Sequence, residues 1–156
     1  MPQGEHTLLF SIDGDLLAFG SNSQGQLGLG HSSISEVPTK VPWKGPKPVQ
    51  VDWGSCHSLV LDEEGGVWET GRSRYSQPFT SFQKVEELPC ITSVSAGDDL
   101  STALGADGAL WVWASESVMP WACSVPQKVE GFPPLIKVAA GDDFIEIGRA
   151  SCRERV

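Results

Sequence analysis

The chain repeats itself. Three fifteen-residue segments, HTLLFSIDGDLLAFG from His6, HSLVLDEEGGVWETG from His57 and LSTALGADGALWVWA from Leu100, align without a gap. Each carries an acidic residue and a glycine at the same place: Asp13-Gly14, Glu64-Gly65 and Asp107-Gly108. An aliphatic residue follows two positions later (Leu16, Val67, Leu110), and a small residue closes the segment (Gly20, Gly71, Ala114). A second block, VQVDWG, ITSVSAG and IKVAAG, ends on Gly54, Gly97 and Gly141, each preceded by PTKV, FQKV or PQKV. Two blocks recurring in the same order and phase specify equivalent units, each too small to bury an apolar face alone.

The units decode into strands. SLVL and VWET are short runs of branched and aromatic residues joined by a glycine turn, which is a β-hairpin with Asp-Gly or Glu-Gly supplying positive-φ residues. QKVEEL and ITSVSA add two further strands, and no helical periodicity is present. With 17 Gly and 11 Pro, the 156 residues favour short strands joined by many turns. Four short strands per unit of this size are those of a propeller blade. The expected fold class is therefore all-β: a partial β-propeller of about three four-stranded blades.

These residues resemble the repeat of the regulator-of-chromosome-condensation family. The first unit matches its second half through Phe19, Gly20, Asn22, Gly25, Gln26, Leu27 and Gly28. The second matches its first half through Gly54, His57, Ser58, Leu61, Gly65 and Gly71. His6, Gly14, Gly97, Gly108 and Gly141 fall at equivalent repeat positions. The N-x-x-G-Q-L-G element gives way to RSRYSQPF in the second unit and SESVMPWA in the third, and the histidine position becomes Leu100 and then Phe144. The resemblance implies that residues 1–145 are an incomplete portion of a larger, seven-bladed propeller, and that the apolar row Leu110, Trp111 and Trp113 lies at an uncovered terminal face. The closing EIGRASCRERV, residues 146–156, resembles a translated sequencing adapter and is expected to be a non-native tail that adds no packing.

The resemblance further implies a protein–protein interaction module that is not itself an enzyme. One alternative is guanine-nucleotide exchange on a small GTPase of the Ran type. Another is the partner-binding domain of a larger HECT-type ubiquitin ligase or kinase. Exchange in this family uses a hairpin inserted in a blade, and chromatin binding uses a basic N-terminal tail. Neither feature is visible in this sequence.

The residues themselves carry little catalytic chemistry. GSNSQGQLGLGH opens with the spacing of a phosphate loop, but Gly25 is followed by Gln26 and Leu27 where such a loop needs Lys and Ser or Thr. Gly25, Gly28 and Gly30 are therefore expected to shape a loop that Gln26 and Leu27 anchor. His57 with Ser58 suggests a triad, yet the same pair recurs as His6-Thr7, which points to architecture. His57 is expected to be buried, its ring bonded to backbone in or near its own blade. The pairs Asp98-Asp99 and Asp142-Asp143 lack the alternating oxygens of a calcium loop, and no His/Cys spacing suits zinc. No cofactor and no metal site are expected. Free cysteines, an absent signal and the absence of a long apolar run suggest an intracellular protein, cytoplasmic or nuclear, without a membrane span. The formal net charge of −9 disfavours nucleic acid. Trp68, Trp111 and Trp113 are expected to pack between blades, which leaves Trp43 and Trp121 as candidates for contact with a protein partner.

Overall fold

In the computed structural model, residues 5–72, 78–114, 125–140 and 145–149 are described, and they form thirteen strands. The strands are β1 (His6–Phe10), β2 (Leu16–Gly20), β3 (Ser35–Lys40), β4 (Pro48–Trp53), β5 (His57–Asp62), β6 (Val67–Gly71) and β7 (Phe79–Lys84). They continue as β8 (Ile91–Ala96), β9 (Leu100–Gly105), β10 (Leu110–Ala114), β11 (Gln127–Val129), β12 (Leu135–Ala140) and β13 (Ile145–Arg149). All pairing is antiparallel between sequence neighbours, giving sheets β1-β2-β3, β4-β5-β6-β7, β8-β9-β10-β11 and β12-β13. The fold is all-β, a partial propeller. Each aligned fifteen-residue segment closes as one hairpin, with His6 opposite Gly20, His57 opposite Gly71 and Leu100 opposite Ala114.

The hairpin turns differ in kind from a two-residue Asp-Gly turn with two positive-φ residues. Only the glycine of each pair has positive φ: Gly14 at 88°, Gly65 at 85° and Gly108 at 82°. In the second unit the Gly65 N–H donates to Asp62 O and the Asp62 N–H to Gly66 O, and the third repeats this at Gly105, Gly108 and Ala109. That is a three-residue loop with a left-handed glycine bulge, so the acidic residue keeps an ordinary backbone conformation.

Packing follows from the two-residue period of a strand. On β5, Leu59 and Leu61 join Val94, Ala103 and Trp113 of the following blade, while Val60 joins Leu8, Leu16 and Ala18 of the preceding one. With a neighbour on each face, every residue of β5 and of β9 is buried. The third blade is covered in turn, because Leu104, Leu110 and Val112 pack on Leu135 and Val138 of β12.

Three expectations need correction. Leu110 and Trp113 are not at an uncovered face: both are buried, Trp113 toward the second blade and Leu110 under β12. The run QKVEEL is not a whole strand, since β7 ends at Lys84 and Val85 turns into the core with its N–H on Val67 O. The tail does not stay out of the fold. Residues 145–149 pair with β12 from Ala140–Ile145 to Leu135–Arg149, because ladder formation needs only backbone N–H and C=O groups at the right spacing.

The turn glycines also dock one blade on the next. Ile91 N–H donates to Gly65 O and Leu135 N–H to Gly108 O. A Cβ on Gly65 would lie 2.6 Å from Cys90 Sγ and 3.2 Å from the Ile91 backbone. Gly65→Val should therefore cost about 2 kcal/mol or more, combining a disfavoured left-handed conformation with a clash at the blade junction. Chemical denaturation measures this, and a loss below about 0.5 kcal/mol would mean that neither constraint acts.

Candidate functional site

The repeated histidines join blades. His6 Nε2 lies 2.9 Å from Ser58 Oγ, and His57 Nε2 lies 3.1 Å from Ser101 Oγ, each serine on the next blade. Ser58 Oγ spends its only hydrogen on Gln26 O at 2.7 Å, so His6 must donate to it. The His57 ring is thus bonded to a side-chain hydroxyl across the blade junction, with a backbone contact to Leu100 of that next blade and none within its own. The reason is the strand period, which points His57 forward and Ser58 back. These two residues form no nucleophile–base pair. Burial, and next the nearby His6, depress the His57 pKa from 6.5 to about 4, with Asp98 and the Leu100 backbone opposing. The ring is neutral at pH 7.

The glycine-rich loop is built inward. Asn22 Nδ2 donates to His31 O and Ser33 O, both at 2.8 Å, and Asn22 Oδ1 accepts from Leu27 N–H. Gln26 Oε1 accepts from Gln24 N–H, and Thr70 Oγ1 donates to Gly25 O. Gly25, Gly28 and Gly30 all have positive φ, and a Cβ on Gly28 would meet the Phe82 ring at 2.5 Å. Leu27 is fully buried. These groups face the second blade and leave no row of backbone N–H groups for a phosphate. Gly54 is equally confined, because a Cβ there would meet Gly97 O, and Gly71 approaches Cys56 O in the same way. Gly141 and Trp121 lie outside the described residues.

Two buried carboxylates were not singled out from sequence. Glu69 Oε2 accepts from Trp113 Nε1 at 3.0 Å across the blade junction. Asp62 caps its own turn by accepting from Glu64 N–H and Gly66 N–H, and its other oxygen accepts from Trp68 Nε1 at 2.9 Å. The available signal was a charged residue inside a strand that is otherwise apolar. In the third blade Gly105 stands where Asp62 does, and the buried Trp111 Nε1 has no partner among the described residues. Of the acidic pairs, Asp99 has a raised pKa, through burial and then the neighbouring Asp98, with Arg72 opposing. No group of three or more metal-ligating side chains occurs among the described residues.

Trp43 is different in kind. It lies in the connection from β3 to β4 and meets Trp68 edge-on at 5.0 Å and Phe82 at 5.5 Å. All three rings are half-buried. They line a cleft of about 470 Å³ together with Pro42, Lys44, Ser81 and Gln83. Both indole N–H groups are already used, Trp43 on Pro46 O at 2.7 Å and Trp68 on Asp62, so the three rings offer faces and edges only, and the polar groups of the cleft are those of Lys44, Ser81 and Gln83. A smaller hollow of about 240 Å³ lies at the next junction, around Glu64, Lys84, Glu86 and Cys90.

A family model described as the regulator of chromosome condensation (RCC1) repeat matches residues 13–61. The human X-linked retinitis pigmentosa GTPase regulator is 36% identical over 132 residues, covering 72% of this chain and 12% of that protein. The mouse regulator of chromosome condensation is 32% identical over 151 residues, covering 85% of this chain and 36% of its own length. The crystal structure of Prp20p from Saccharomyces cerevisiae superposes with a TM-score of 0.82 at 18% identity, over 96% of this chain and 43% of Prp20p. The chain thus spans less than half the length of each of these relatives.

The neutral, buried His57 predicts a pH signature. Its folded pKa lies below its unfolded value, so its contribution is complete above pH 6.5 and is lost as the pH falls toward 4. Stability should decline across that window with a slope of up to about 1.4 kcal/mol per pH unit from this group. In His57→Gln the decline should be shallower by that amount. Denaturation midpoints measured at several pH values check this, and parallel profiles for the two proteins would refute it.

Proposed function

Because this chain is built of RCC1 repeats folded as part of a β-propeller, we propose that it is a non-catalytic protein-interaction module whose contact surface is the cleft at Trp43. His6, His57 and Ser58 are used in joining blades, and Asn22 and Gln26 in shaping the loop that packs on the second blade. On that frame, Trp43 from the connection and Trp68 and Phe82 from the second blade present half-buried aromatic area together. This cluster is the observation that carries the proposal. Preformed aromatic surface loses little conformational entropy on binding, and tryptophan is enriched among residues that dominate interface energies.

A second reading, regulation of a small GTPase, has support in the comparisons. One relative is named a GTPase regulator, and the Prp20p structure is described with its binding properties to Gsp1p and histones. On this reading the protein partner is a small GTPase of the Ran type and the module promotes nucleotide release. Release rates measured across a panel of small GTPases decide it, since unchanged rates for every member would remove exchange from this chain.

For the interaction surface, a photo-crosslinking residue placed at Gln83 should capture protein partners, whereas one placed at exposed Glu130 should not. Trp43→Ala should reduce that capture by about tenfold, the effect of losing one dominant contact, while the protein keeps a cooperative thermal transition. Equal capture from both positions, unaffected by Trp43→Ala, would rule the cleft out.

A further inference from the structure

The chemistry of the cleft selects its occupant. Its two indole N–H groups are committed to Pro46 O and Asp62 Oδ2. A ligand polar group entering between the rings would therefore lose water without gaining a partner from those walls. The rings supply no acceptor of their own, and the nearby Pro46 O and Asp62 Oδ2 already accept from the indoles, so a backbone N–H between the rings would go unpaired and the segment there must be apolar with few backbone donors. Proline meets both demands: it has no N–H, and a proline-rich segment is already extended before it binds. Aromatic-lined grooves suit such segments for this reason. The rings are also preformed, since Trp43 contacts both Trp68 and Phe82 edge-on.

Charge decides what flanks the proline. Among the described residues Lys44 is the one charged residue lining the cleft and it makes no ion pair, whereas nearby Lys40 is paired with Asp15 at 3.2 Å. The chain as a whole carries a formal net charge of −9. A basic segment would be drawn to the surface at large but would set its charge against Lys44 inside the cleft. An acidic one finds local attraction at Lys44 and repulsion over most of the remaining surface, which places it in one register.

We propose that this cleft binds an extended, proline-containing segment of a partner protein, with a carboxylate side chain beside the proline paired to Lys44. The proposal rests on the reading of the cleft as the interaction surface and adds the chemistry of what enters it. The rim hydroxyl of Ser81 and amide of Gln83 would meet the segment's backbone carbonyls and amides.

The test uses the full 156-residue chain and three capped synthetic peptides: three repeats of Pro-Pro-Glu, of Pro-Pro-Lys and of Ala-Ala-Glu. Tryptophan fluorescence and calorimetry report binding. The Pro-Pro-Glu peptide should bind saturably, the Ala-Ala-Glu peptide about tenfold more weakly and the Pro-Pro-Lys peptide about fivefold more weakly. Lys44 is exposed, so Lys44→Glu should fold normally, and it should invert the preference between the Glu and Lys peptides. Equal affinity for those two peptides, or an order unchanged in Lys44→Glu, would overturn the proposal. If none of the three peptides saturates while cross-linking from Gln83 still captures partners, the occupant is wrong and the interaction surface stands. Loss of both signals overturns both.

Discussion

Each blade depends on its neighbours because its central strands have two apolar faces and the blade can cover neither. On β5 the side chains alternate between partners, with His57, Leu59 and Leu61 committed to the following blade and Ser58 and Val60 to the preceding one. Removing either neighbour would expose a full row of buried aliphatic groups and break a buried hydrogen bond. This face-sharing explains why β5 and β9 are buried along their whole length. It also explains why the sequence must repeat, since every junction has the same geometry to satisfy.

The motif residues are the polar part of that geometry. Burying a histidine, an asparagine or a carboxylate is costly unless each group is bonded, and here the partners come from the adjacent blade or loop. His57 meets Ser101, Glu69 meets Trp113, and Thr70 reaches back to Gly25 O. Directional bonds of this kind fix the angle between blades, which apolar packing alone would leave loose. The arrangement also removes these residues from consideration as chemistry. A serine whose hydrogen is held by a backbone carbonyl and a histidine held neutral by burial are structural groups. Where the repeat decays, the bonding decays with it, as at Trp111, whose indole N–H lacks the acceptor that Asp62 gives Trp68.

The cleft at Trp43 arises where the repeat has no say. The connection from β3 to β4 must travel from the outer strand of one blade to the inner strand of the next, passing over the junction. Pro42, Trp43 and Pro46 stiffen that crossing and lay an indole against Trp68 and Phe82. The frame beneath is held by inter-blade bonds, so the cleft has a defined shape without a ligand. Rigid scaffolds that carry variable connections are well suited to recognition, because sequence changes in the connection leave the frame intact.

Much was legible in the residues themselves. The period, the hairpin segments, the positive-φ glycines Gly14, Gly65 and Gly108 and the inward-built Asn22–Gly28 loop follow from local rules of spacing and conformation. The all-β propeller class follows from the same rules. What sequence could not decide was direction across space. That His57 bonds Ser101 forward and not its own backbone, that Trp113 is sealed against Glu69, and that β12 covers Leu110 depend on where the neighbouring blade lies. The same holds for residues 145–149, whose backbone completes a ladder whatever the origin of their side chains. Trp43 was a candidate from sequence only because it fell outside the strands. Its companions Trp68 and Phe82 lie 25 and 39 positions away along the chain. Local sequence determines turn conformation and strand period because those depend on a few bonded neighbours. A shared buried face and a cleft depend on distances between residues far apart in the chain, which exist only once the blades are packed.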